Sequence, residues 1–146
     1  MNQLNLKLEL DSEWFRSIPS IRLKLNDDIL MSSEIREPTT IEKTLEVEDG
    51  KEYKLSIEFH NKSKFDTIIE NGKIIKDTLI KIKKVEIDYV DITSSLFTNK
   101  EKFYYEHDNN GTSDTVLEPY YGVMGCNGSS VISFRSPFYE WLLETL

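Results

Sequence analysis

The sequence predicts an all-β fold: one antiparallel β-sandwich domain over residues 1–146, closed by a short C-terminal helix. Three observations predict it. Apolar and polar residues alternate again and again, as in strands with one wet face. Short turn signals separate these runs, among them Asn26-Asp27-Asp28, Glu48-Asp49-Gly50 and Asn71-Gly72. Helical spacing is confined to the last stretch, FYEWLLETL. A chain of 146 residues suits one domain with a real core. Its 38% hydrophobic and 30% charged content fits sheets that are half wetted.

The first strand is read from Leu4, Leu6, Leu8 and Leu10, which alternate with Asn5, Lys7 and Glu9. Asp11 to Pro19 is expected to be a loop or short turn, with Trp14 and Phe15 plugging one end of the core; an exposed Trp14 would mark a contact surface instead. Ile21, Leu23 and Leu25 form one arm of a hairpin, and Ile29 and Met31 begin the other. Pro38 marks departure from the sheet or an edge position. Ile41, Leu45 and Val47 make a weaker run. Tyr53, Leu55, Ile57 and Phe59 make a strong one, each side chain worth roughly 1.5–3 kcal/mol on full burial. Asn71-Gly72, between Ile68-Ile69 and Ile74-Ile75, predicts a small hairpin with a type I′ turn.

Thr78 to Ile92, TLIKIKKVEIDYVDI, carries the most regular alternation, with a defect. Ile80 and Ile82 share one face, whereas Val85, Ile87 and Tyr89 fall on the other parity. A one-residue slip reverses every side chain after it, so a β-bulge or bend is expected at Lys83-Lys84. A second slip, between Tyr89 and Val90, would return Val90 and Ile92 to the first face. The other reading is that one strand ends here and another begins.

From Ile92 to Ser130 the pattern loosens into a long segment rich in turn residues, expected to be irregular, with any displayed function expected in the loops the central strand supports, especially Phe97 to Gly128. Phe103 and Tyr105 would share one side of a short strand, with Tyr104 on the other. Val131 to Arg135 reads as the final strand. Ser136-Pro137 resembles a cap followed by proline at a helix start. Phe138, Trp141, Leu142 and Thr145 would then face the core.

The net charge of −8 is concentrated in the first 50 and last 46 residues, which excludes general phosphate-backbone binding. No apolar run is long enough to span a bilayer as a helix, and no cleavable secretory signal is visible. The single cysteine, Cys126, excludes an internal disulfide and a cysteine-based zinc site; no basic neighbour accompanies it locally. Asn61, Asn110 and Asn127 begin Asn-x-Ser/Thr triplets, read as loop composition. His60 and His107 stand apart from any nucleophile motif, and no phosphate loop or dinucleotide fingerprint occurs, so the chain is read as non-enzymatic with no cofactor. Asp66, Asp77, Asp88 and Asp91, near strand ends, raise calcium against ordinary surface carboxylates. Candidate contact residues are Tyr104, Tyr105, Tyr120 and Tyr121 in the loose segment, together with Trp14. Flat rings on loops stack on sugars or anchor protein interfaces; packing at a core edge is the alternative.

Residues 51–92, KEYKLSIEFHNKSKFDTIIENGKIIKDTLIKIKKVEIDYVDI, resemble β-sandwich proteins of tailed phages, marine ones in particular: a strand ending in Asn-Lys, an Asp-Thr turn, an Asn-Gly hairpin, then a long strand. FRSPFYEWLLETL resembles their closing aromatic segment. The pattern is also similar to the jelly-roll outline of carbohydrate-binding modules, which often have glycine at the corner where this chain has Tyr89. The resemblance implies a jelly-roll-like sandwich and a virion accessory or structural protein, located in the virion on a capsid, tail or fibre. Its partners would be other virion proteins and copies of itself, with neither nucleic acid nor membrane bound. The alternative is a carbohydrate-binding module taking a host glycan through the loop tyrosines Tyr104, Tyr105, Tyr120 or Tyr121, which the residues suggest and the resemblance does not supply.

Overall fold

The structure, a computed structural model, describes residues 2–109 and 112–145, with the side chains at 112 and 113 outside it. Asn110 therefore lies outside the described residues. The architecture is an antiparallel β-sandwich with one short C-terminal helix, as the alternation predicts.

One layer is built on β1 (Asn2–Glu13), flanked by β4 (Thr39–Val47) and β8 (Leu79–Ile87). The short strands β9 (Val90–Asp91) and β12 (Val123–Met124) pair with β8. The other layer runs β11 (Thr112–Pro119), β10 (Phe103–Asn109), β13 (Gly128–Arg135), β5 (Glu52–Phe59), β2 (Ser20–Leu25), β3 (Asp28–Glu34). Chain order and spatial order differ because the chain repeatedly crosses between layers, which gives the jelly-roll-like outline. The hairpin of β6 (Ile68–Glu70) and β7 (Lys73–Lys76) stands outside both sheets. Asn71 and Gly72 have φ of 54° and 76°, the positive values its turn requires.

The inner faces come from the alternating runs. Leu4, Leu6, Leu8 and Leu10 of β1 and Ile80, Ile82, Val85 and Ile87 of β8 belong to one core with Leu55, Ile57 and Phe59 of β5. All four inward residues of β8 are buried because the register slips between Glu9 and Leu10: Lys84 opposes Glu9, Ile82 opposes Leu10, and Lys83 is left over as a bulge. The second irregularity is a reversal. Asp88 and Tyr89 both have positive φ, 47° and 68°, and turn the chain back into β9. Tyr89, expected beside Ile87, is therefore 84% exposed.

Two further expectations are corrected. The segment from Ile92 to Ser130 is less irregular than expected: besides the short strand read at Phe103–Tyr105, here β10, its described residues hold β11 and β12. Their polar composition belongs to the edge strand β11, the outer face of β10 and the short β12. Nor does Trp14 plug the core: it is 37% exposed, its Nε1 donating to the Arg36 carbonyl at 3.0 Å. The closure is made instead by α1 (Phe138–Thr145), whose Phe138 and Trp141 are buried. Trp141 meets Phe103 and Phe134 edge-on, with centroids 6.0 and 6.4 Å away.

Candidate functional site

Strand pairing fixes which side chains leave the core. On β10, Phe103 and Tyr105 point inward and are buried, so Tyr104 must stand on the outer face. Across the sheet Tyr104 opposes Val131, Ser133 opposes Lys54, and Arg135 opposes Glu52. Lys54 is held by Asn26, whose Oδ1 accepts its amide at 2.9 Å and whose own amide donates back to the Lys54 carbonyl at 2.7 Å. Tyr104, Ser133, Lys54, Arg135, Glu52 and Asn26, with Glu101, Lys102 and the core aromatics Tyr53, Phe134 and Trp141, line a groove of ≈ 460 Å³ near α1. Glu52, Lys54, Tyr104, Ser133 and Arg135 are set by strands, whereas Asn26, Glu101 and Lys102 come from the turns beside them.

The groove offers Tyr104 as its one ring outside the core, beside the buried Tyr53, Phe134 and Trp141, with cations at Lys54, Lys102 and Arg135 and carboxylates at Glu52 and Glu101. Arg135 pairs with Glu144 of α1, and that hydrogen-bonded carboxylate raises the guanidinium above its ordinary range. Such an arrangement can stack on a flat apolar face and exchange hydrogen bonds with hydroxyls.

Of the five aromatic residues singled out in the sequence, only Tyr104 lines this groove. Tyr121, beyond β11, is 70% exposed, and Trp14 lies on the loop between β1 and β2. Tyr105 and Tyr120 are core residues and offer no ring to a ligand. Burial pushes both phenols well above the usual tyrosine range. The Tyr105 hydroxyl donates to the Cys126 carbonyl at 2.6 Å and accepts the Cys126 amide at 3.0 Å. The Tyr120 hydroxyl is buried without a partner, its ring set edge-on against Phe97. Tyr89, which the alternation hid, overlooks a second and smaller groove of ≈ 350 Å³ on the other layer, beside Asn5, Lys7, Glu42 and Glu86.

The four aspartates do not converge. Asp88 Oδ1 accepts the Asn5 amide, and Asp91 Oδ1 accepts from both the amide and the hydroxyl of Thr93, which lowers its carboxyl below the usual range. Asp77 Oδ1 accepts from Thr67 Oγ1, from the Thr78 amide and from the Lys62 ammonium at 2.6 Å; that ammonium also donates to the Gly125 carbonyl. Asp66 Oδ2 closes the turn on Ser63. Asp66 Oδ1 and Thr78 Oγ1 are buried there without partners.

Nor is Cys126 without a basic neighbour, as its local sequence suggests. His107 opposes Gly128 in the β10–β13 pairing, which brings its ring to the thiol. His60 stays apart on the surface; burial first and Arg22 second lower its pKa.

No protein-family model and no curated protein matches the chain. Among solved structures, vCBM60 in complex with galactobiose is similar, with a TM-score of 0.52 and 7% identity over 88% of this chain and 96% of that one. So is the selenomethionine form of vCBM60, described with circular permutation as the link between two families of calcium-dependent carbohydrate binding modules. It gives a TM-score of 0.53 and 8% identity over 88% of this chain and 89% of that one. The fold is shared with carbohydrate-binding modules. At this identity the likeness is one of backbone. Among the described residues, no helix is long and apolar enough to cross a membrane.

Proposed function

We propose that the protein is a non-catalytic carbohydrate-binding module that takes an oligosaccharide in the groove beside Tyr104. The observation that carries this reading is a strand-built groove holding an outward tyrosine among mixed donors and acceptors, on a sandwich shared with carbohydrate-binding modules. A pyranose has an apolar face for the ring and hydroxyls for Lys54, Glu52 and Arg135, and the open groove suits a chain passing through it.

Calcium has no part in this reading, because the residues present do not suit it. Calcium takes about 6–8 oxygens. Asp66 and Asp77 flank a corner already supplied with a cation by Lys62, and two buried oxygens without partners fall short of a coordination shell. The virion accessory role and self-association implied by the phage resemblance draw no support from the fold or the comparisons.

Galactobiose and a glycan array test the proposal. Saturable binding is expected, weakened about tenfold or more by Tyr104→Ala, unchanged by Tyr89→Ala and unchanged after calcium chelation, with both variants folded. A folded wild-type protein that binds nothing on the array defeats it. Binding lost in Tyr89→Ala but kept in Tyr104→Ala moves the site to the other layer.

A further inference from the structure

At the far end of β10 from the groove, three ligand-bearing side chains converge that nothing in the sugar-binding reading uses. A ring nitrogen of His107, a carboxylate oxygen of Asp108 and Sγ of Cys126 lie within 4.8 Å of one another, and all three residues are half-buried. Bonds of about 2.0–2.3 Å place neighbouring ligand atoms of a tetrahedral zinc roughly 3.3–3.8 Å apart, so small side-chain rotations would close the set.

The surroundings hold these groups in place. Gly128 sits so close to β10 that a Cβ there would lie 2.2 Å from the Glu106 carbonyl oxygen and 2.5 Å from His107 Cα. The Asp108 amide donates to the Asn127 carbonyl at 2.9 Å, tying the two ligand-bearing segments together. Tyr105 fixes Cys126 through both its amide and its carbonyl, and its ring lies 4.4 Å from that of His107. Asn127 in turn bonds the backbone of Lys62 through Oδ1 and Nδ2.

One of the two histidine contacts is that of a metal ligand, and the other is a backbone contact that a metal would replace. Nε2 meets Glu118 Oε2 at 2.7 Å, while Nδ1 faces the carbonyl oxygen of Asp108. A neutral imidazole has one N–H. With that proton directed to Glu118, Nδ1 is the nitrogen left to ligate once the ring turns away from the Asp108 carbonyl oxygen, and Glu118 then stands where the outer carboxylate of a carboxylate–histidine–metal arrangement stands.

We propose that His107 Nδ1, Asp108 and Cys126 bind a divalent cation of the zinc class, with Glu118 orienting His107, a mixed set that needs only one thiolate where the multi-cysteine sites the sequence excludes need several. A nitrogen, sulfur and oxygen set selects zinc or cobalt over calcium or magnesium. Three protein ligands leave one coordination position open.

Zinc titrated into the full chain against a chromophoric chelator should bind at one ion per chain, and a large excess of calcium should not compete. Cobalt should give a thiolate charge-transfer band that Cys126→Ser abolishes. Zinc affinity should fall sharply in His107→Gln and by about tenfold or more in Glu118→Gln, the loss typical of an outer partner. In the wild-type protein alone, zinc should protect Cys126 from iodoacetamide. Absence of stoichiometric zinc uptake by the folded wild-type chain overturns the proposal, as does uptake unchanged in both His107→Gln and Cys126→Ser. An alkylation rate indifferent to zinc overturns it without recourse to any variant.

Discussion

Tyr105 and Tyr120 are both buried, at 5% and 3% exposure, on either side of the β10–β11 hairpin, yet their hydroxyls have opposite fates. Tyr105 spends its hydroxyl on both backbone groups of Cys126 and so defines a corner. Tyr120 brings a hydroxyl into the core and gives it nothing to bond. A ring buried for area and a ring buried for position look alike in exposure; the hydroxyl tells them apart. The difference teaches where order in this molecule is specified by polar contacts and where it comes from packing alone.

The largest test of that contrast is Gly128→Ala. Its new Cβ would overlap backbone atoms of Glu106 and His107, which cannot rotate away, so a loss of about 3 kcal/mol or more is expected in urea unfolding. A loss below about 1 kcal/mol would mean that the corner Tyr105 defines gives way easily. Tyr105→Phe comes next. It keeps the ring but removes the one hydroxyl serving both the Cys126 amide and carbonyl, which should cost about 1–3 kcal/mol. The midpoint should fall with an unchanged m-value, since native compactness is retained. An unaffected midpoint would erase the distinction between the two tyrosines.

How much of this the sequence reveals depends on range. The strands of the core, the Asn71-Gly72 turn and the bulge at Lys83 follow from local alternation, because period two and turn chemistry are properties of neighbouring residues. Tyr89 shows the limit: its parity places it with Ile87, but Asp88 and Tyr89 adopt positive φ and the chain reverses. In the segment from Ser94 onward, Phe103 and Tyr105 reveal β10, whereas the polar composition of the edge strand β11 and the shortness of β12 hide those two. The groove could be located only in part. Tyr104 is legible as the odd residue between Phe103 and Tyr105, but Glu52, Lys54 and Arg135 join it through pairing across β5, β13 and β10. The His107–Cys126 meeting has no local signal at all, since it depends on the register that sets His107 opposite Gly128.

The smallest effect at neutral pH is the most discriminating. Tyr120→Phe removes a buried hydroxyl that has no partner while leaving the ring against Phe97, so stability should change by less than about 0.5 kcal/mol or rise slightly. Alkaline titration separates it further. Burial raises the Tyr120 phenol in the folded state above its unfolded value near 10, so the neutral phenol is favoured by folding. Its contribution is fully present below about pH 10 and is lost as pH rises toward the raised folded value, because the unfolded chain ionises first. Phenylalanine cannot ionise in either state, so the variant's stability should fall less steeply than wild type above about pH 10. A cost at pH 7 comparable to that of Tyr105→Phe would show that the Tyr120 hydroxyl has a partner in solution, and the two tyrosines would then be buried for the same reason.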